Sequence, residues 1–263
     1  MLRFITFIVM LSTFMLSYPS VGVSGNAPIT QTKAGIFLGE VKQMGDGVVW
    51  SWVINDAKGN PSSLGITFTE TALSGLPENP PSDMPYIEYE LSLPRQIKVA
   101  PYIHIVVDWN PHGHIPPGVY DVPHFDFHFY MIAPSERNKI TAEGADIARS
   151  DKKLPAQYIP PGYILPAGTH EPRMGSHWVD PSSPEFNKQP FTITFIYGSY
   201  NGEMTFLEPM AARAFLETRP NITEKIKLPA AYKKRGFYPT AYSIKYDPKR
   251  KEYSVSLEGL TYR

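Results

Sequence analysis

From residue 35 onward, apolar side chains recur every second position in short runs that Gly, Pro, Asn and Asp interrupt. Strand side chains alternate between faces, so this period predicts strands, and few windows keep the 3.6-residue spacing of a helix. Residues 35–42 and 46–55 are β-rich, the second through Val48, Val49, Trp50, Trp52 and Val53. Gly59-Asn60-Pro61 is turn chemistry, so residues 64–69 are expected to return as a hairpin. Residues 86–93 alternate. A longer strand is predicted over 97–109, with Ile103, Ile105, Val107 and Trp109 on one side and His104 and Asp108 on the other.

Segments 191–200 and 203–208 flank Asn201-Gly202, a strong hairpin signal because a type I′ turn needs positive φ at both central residues. That turn sets Phe195 opposite Glu208 and places Met204, Phe206 and Glu208 on one face. Residues 241–246 and 252–257 form a last hairpin. Helices are expected over 134–149, with Ser135 as N-cap, and over 210–218 behind Pro209. The predicted fold class is mainly β: a barrel or sandwich of antiparallel strands with one or two short helices. Residues 26–263 read as one domain, any subdomain boundary falling near residue 110.

Segment 123–130, Pro-His-Phe-Asp-Phe-His-Phe-Tyr, is the most informative stretch. As a strand it sets His124, Asp126, His128 and Tyr130 on one face and Phe125, Phe127 and Phe129 on the other. One face is then core, and the other is a row of metal-competent or proton-transfer groups. Alternate residues stand about 6.6 Å apart, so Asp126 can share an ion with one flanking histidine. His124 and His128 would have to approach an ion from opposite sides, and a complete site needs donors from elsewhere. His177, in the glycine-containing run Met174-Gly-Ser-His-Trp178, and Glu208, a carboxylate on an apolar strand face, are those donors. The candidate metal ligands are therefore His124, His128, His177 and Glu208, with Asp126 or Glu208 as the catalytic proton acceptor. Two histidines, one or two carboxylates and an open position suit a divalent transition ion, zinc first. His112 and His114 have ligand spacing but sit among Gly and Pro. The plain alternatives are a half-exposed strand whose polar row is wetted by solvent, and a Glu208 paired with Arg213 or Arg173.

Composition narrows the chemistry. There is no cysteine, which excludes thiolate metal sites, thiol nucleophiles and disulfides. Twenty-five basic residues balance 25 acidic ones, leaving no basic field for nucleic acid. His-Glu-x-x-His, Gly-x-Ser-x-Gly, Walker and dinucleotide signatures are absent. Arg3, the apolar run 4–16 and the small residues Val21, Ser24 and Gly25 form the three parts of a secretory signal peptide over 1–25. The expected location is periplasmic or secreted, with no stable membrane span after leader removal.

The runs Trp109-Asn-Pro-His-Gly-His114, 123–130, Met174-Gly-Ser-His-Trp178 and 195–202 through Glu208-Pro-Met210 resemble an exported bacterial family of unknown function. The resemblance covers about residues 35–262 and implies β-rich proteins outside the cytoplasm, with no agreed activity. A looser likeness to cupin-type metal barrels rests on Pro166-Ala-Gly-Thr-His170 and the histidine-rich strand, although the cupin His-x-His followed by Glu is missing. Two functions remain. One is a metal-dependent hydrolase or lyase acting on a small polar molecule. The other is a non-catalytic envelope protein with a structural His and carboxylate cluster, whose aromatic strand at 48–53 offers contacts for a homo-oligomer.

Overall fold

The computed structural model describes residues 34–82 and 84–263; the predicted leader lies outside the described residues. The strands are β1 (Gly35–Met44), β2 (Gly47–Asn55), β3 (Pro61–Thr69), β4 (Ile87–Ser92), β5 (His104–Asn110), β6 (His124–Tyr130), β7 (His170–Glu171) and β8 (Gly175–Trp178). They continue as β9 (Ile193–Tyr200), β10 (Glu203–Ala212), β11 (Asn221–Lys225), β12 (Phe237–Tyr238), β13 (Ala241–Asp247), β14 (Glu252–Glu258) and β15 (Thr261–Tyr262). A six-stranded sheet has the order β1-β2-β3-β14-β13-β11, and a seven-stranded sheet runs β4-β5-β6-β10-β9-β8-β7. Every pairing between these strands is antiparallel, and strands from both sides of residue 110 share each sheet. The chain is thus mainly β, with few and short helices. Among the described residues no helix is long and apolar enough to cross a membrane.

The two sheets face one another across one hydrophobic core. Val53, Leu64, Ile66, Phe68 and Val255 come from the first sheet, and Ile105, Val107, Phe125, Phe127 and Phe129 from the second. Phe68 bridges the layers, its ring 6.3 Å from that of Phe125 and 6.5 Å from that of Phe127. All three phenylalanines of β6 are fully buried, each worth about 1.5–3 kcal/mol of burial. Two smaller apolar clusters lie on the opposite face of the second sheet, one around Tyr86, Tyr130 and Phe206, the other around Tyr120, Ile196 and Met210. Loops cover that face, so all seven residues of β5 and of β6 are buried. The polar row of β6 is not washed by solvent.

Four local expectations change, one of them the helix expected over 210–218, which begins only at Arg213 because β10 runs on through Pro209 to Ala212. The strand predicted from residue 97 begins at His104, because Pro101 has no N–H for a ladder and the chain turns there. The helix expected over 134–149 is split into Pro134–Arg137 and Ile147–Ser150, with Ala133 as its N-cap. Between them Ala142 and Gly144 adopt positive φ, and the Asp146 carboxylate accepts from the Thr141 and Ala142 N–H groups in place of a helical turn. The Asn201-Gly202 turn forms with φ of 51° and 74°, pairing Glu203 with Tyr200 and Met204 with Ser199 as expected. Beyond Met204 a bulge shifts the register, so Ile196 rather than Phe195 stands opposite Glu208. Met204 then packs toward the inter-sheet core, while Phe206 and Glu208 turn to the other face.

Candidate metal centre

Strands β5, β6, β10 and β8 of the second sheet and the loop between β5 and β6 deliver the chemistry. Pairs Leu207↔Phe129 and Met210↔Asp126 bring Glu208 of β10 alongside His128 of β6. On β8, His177 stands opposite Gly198 of β9. A Cβ at Gly198 would lie 2.1 Å from the Phe206 ring, so only glycine lets that ring cross β9. Phe206 thereby walls His128 and His177, with ring centroids 4.8 and 5.4 Å away.

His128, His177 and Glu208 form one group. His128 Nε2 is 3.4 Å from Glu208 Oε1, and His177 Nε2 is 3.8 Å from Oε2. The Nδ1–H of His177 donates to the Thr169 carbonyl at 2.7 Å, which fixes the tautomer and turns the Nε2 lone pair toward Glu208. On the other side of the His128 ring, Nδ1 is 3.0 Å from Asp108 Oδ2, close but poorly aligned for a hydrogen bond. Both His128 nitrogens, both Asp108 oxygens and Glu208 Oε2 are buried without a hydrogen-bond partner in the protein. Burial dominates the electrostatics here. It pushes His128 down to about 3 and His177 to about 4, so both rings are neutral. Glu208 is driven well above the carboxylate range by burial and then by the Asp126 and Asp108 carboxylates. Asp108 rises to about 8 through burial, against the pull of Arg137.

His114, His124 and Asp126 form the second group. His124 Nε2 lies 3.2 Å from Asp126 Oδ1, and His114 Nε2 lies 3.3 Å from Oδ2. Asn110 donates its Nδ2–H to Oδ2 at 2.8 Å. Burial opposes the charge on Asp126, but the two imidazoles outweigh it and hold the carboxyl well below its ordinary range. Burial likewise opposes protonation of His114, and Asp126 reverses that, raising it above an ordinary histidine. In the loop that carries His114, Gly113 has a φ of 70°, and a Cβ there would come 2.2 Å from the Tyr120 carbonyl. Glycine is therefore what lets the loop fold back over the sheet.

Members of both groups line one cavity of about 200 Å³. Its other walls are mostly apolar and include Tyr86, Ile115, Tyr120, Met174, Val179 and Ile196. Behind the sheet's polar face, the fully buried Arg137 pairs with Glu88 and, at 3.5 Å, with Glu90, its guanidinium 5.0 Å over the Tyr130 ring. Arg173 also pairs with Glu88, and Arg213 pairs with Glu217 at 2.9 Å. Neither arginine is the partner of Glu208.

Of the residues singled out from sequence, His128, His177 and Glu208 come together, whereas His124 and Asp126 sit in the neighbouring group. His114 joins that second group, and His112 is exposed. His104 stacks on Tyr130 at 4.8 Å, and His170 faces Asp151 at 3.4 Å. Sequence reasoning passed over Asp108 as a functional residue, although its place on the polar side of β5 was the available signal. It also passed over Asn110 and Arg137, for which the pattern carried none.

Residues 56–109 match the family TTHB210-like, described as hypothetical protein TTHB210. This similarity includes Asp108 but ends before the two histidine groups. No curated protein and no solved structure matches the chain.

Proposed function

We propose that the protein binds a divalent transition metal, zinc in the first instance, through His128 Nε2, His177 Nε2 and Glu208. The observation that carries this reading is the convergence of two buried imidazole Nε2 atoms, that of His177 fixed as a lone pair, on the carboxyl group of Glu208. Both His128 nitrogens and Glu208 Oε2 have no hydrogen-bond partner in the protein, and buried polar atoms without partners are rare. One ligand atom from each of the three residues lies within 4.8 Å of the others, and small side-chain movements would bring these to the roughly 3.3 Å separation of ligand atoms around a tetrahedral zinc. Asp108 beside the far nitrogen of His128 supplies the carboxylate support that ligating histidines commonly have.

Three protein ligands leave a position open toward the cavity, where the ion would act as a Lewis acid and lower the pKa of a bound water. The chain's own part is to exclude bulk solvent and to offer Asp126, ionised in the same cavity, as proton acceptor. The substrate class this favours is a small molecule with one polar reacting group and an apolar flank against Tyr86, Met174 and Ile196. Hydrolysis or a lyase step is the simplest reaction of that arrangement. Complete burial of His128 favours a second reading, a structural cluster in an envelope protein without activity.

Metal analysis of untagged protein tests the proposal. One tightly held ion, lost in Glu208→Gln and His177→Ala without unfolding, supports it. Metal-free protein that takes up no zinc, cobalt or manganese overturns it. A bound ion whose removal leaves the fold intact favours the reactive site, whereas collapse on chelation favours the structural cluster.

A further inference from the structure

We infer that His114, His124 and Asp126 form a second divalent-cation site, at the loop-covered side of the same cavity, so that the fully loaded chain holds two ions. The inference starts from where the ring protons go. His124 gives its Nδ1–H to the Val122 carbonyl and His114 gives its own to the Ile115 carbonyl, each at 2.7 Å. A carbonyl oxygen can only accept, so both Nδ1 atoms are committed as donors. Both Nε2 atoms then meet the same carboxylate, at 3.2 and 3.3 Å.

Two arrangements can make those contacts favourable. In the first, both rings carry a proton on Nε2, which sets two imidazolium cations with centroids 4.6 Å apart against a single carboxylate. His124 is fully buried, so that net positive charge has little water to screen it. With only one ring protonated, the remaining Nε2 lone pair faces a carboxylate lone pair. In the second arrangement one divalent ion takes the place of both Nε2 protons, and the protons leave to solvent. The charge is the same, but one centre bonds to both nitrogens and to the carboxylate together. His124 Nε2 and Asp126 Oδ1 have no hydrogen-bond partner in the protein, and all three ligand atoms lie within 4.8 Å of one another. Asn110 holds the second carboxylate oxygen at 2.8 Å and fixes its plane.

The donor set of two imidazoles and a carboxylate suits zinc, manganese or another divalent transition ion. His114 comes from the loop between β5 and β6 and keeps 26% side-chain exposure, whereas His128 has none. Ions at this site should therefore exchange faster and bind more weakly than at the buried group. Loading it would also turn Asp126 from proton acceptor into ligand, so the reaction proposed above belongs to the singly loaded form.

The test is calorimetric titration of chelator-stripped, untagged protein with Zn²⁺, repeated in buffers of different ionisation enthalpy to count released protons. Co²⁺ absorption serves as an independent reporter. Two binding events are expected, the weaker with proton release. His114→Ala, on a loop where folding is not at stake, should weaken that event at least about tenfold and leave the tighter one unchanged; His124→Gln should do the same. A second ion indifferent to both substitutions overturns the inference, because it binds elsewhere. A single ion lost in Glu208→Gln but kept in His114→Ala overturns it while leaving the first site standing. The converse pattern supports the second site and removes the first. No uptake overturns both.

Discussion

The two histidine groups use the same side-chain types, share β6 and open to one cavity, yet they reach opposite protonation states. Around His128, His177 and Glu208 burial prevails, over the pull of Asp126 on both rings and the Thr169 hydrogen bond to His177: the rings are neutral and the acid keeps its proton. Around Asp126 two imidazoles outweigh the same burial and the carboxylate stays ionised. The difference lies in where each carboxylate sits relative to positive charge. Asp126 is drawn down by the two imidazoles that flank it, whereas Glu208, raised first by burial, meets only the further repulsion of Asp126 and Asp108. Residue type therefore does not decide the role of a buried carboxylate; its neighbours do.

Glu208→Gln attacks the contrast most directly. It keeps the shape of the protonated acid but cannot bind metal as a carboxylate, so ion affinity at the buried group should fall more than about 100-fold, beyond the usual cost of losing an outer partner. Competition with a chelator measures this, and an unchanged affinity would detach the ion from Glu208. Asp108→Asn removes support from behind His128, and a loss of about 10- to 100-fold is expected in the same assay.

A smaller effect appears in metal-free protein as a function of pH. Asp108, with a folded value of about 8, and Glu208, raised by burial, keep protons that the unfolded chain has released above about pH 4. Their stabilisation is present at low pH and is lost as pH rises through the folded values, and the raised His114 has the same sign above about pH 6.5. His128 and His177, at about 3 and 4, oppose this only below about pH 6.5, the unfolded histidine value. Between about pH 6.5 and 8 the metal-free protein should lose on the order of 1–2 kcal/mol of stability in urea melts. Asp108→Asn should flatten that slope, and a slope unaltered in the variant would place the titration elsewhere. The smallest effect belongs to His112→Ala. That ring is exposed, so stability should stay within about 0.5 kcal/mol and metal uptake should not change.

Much of the architecture was legible because strands announce themselves by period and turns by residue type. The alternation in segment 123–130 separated the phenylalanine face from the histidine face correctly, and Asn201-Gly202 located its hairpin. Alternation does not say what covers the polar face, which is why a wetted strand and a buried donor row read alike. The distance along β6 already set His124 and His128 apart, and the structure places them in different groups. His114 was harder: nothing local shows that Gly113 folds the loop so that one imidazole points inward while His112, two residues earlier, stays outside. The register beyond Met204 was equally hidden, since a bulge leaves no fixed mark in composition.

That irregularity in β10 has an outsized bearing on the molecule. Were the hairpin to keep its starting register, Glu208 would share the orientation of Met204 and project between the sheets, among Phe68, Phe127 and their neighbours. One additional residue at Thr205 rotates the rest of the strand by half a turn and hands the acid to the opposite side. Deleting that single position should therefore leave Glu208 facing the cavity, because Phe206 would then follow Met204 in plain alternation, whereas forcing Thr205 into the regular ladder should abolish the donor set without altering any member of it.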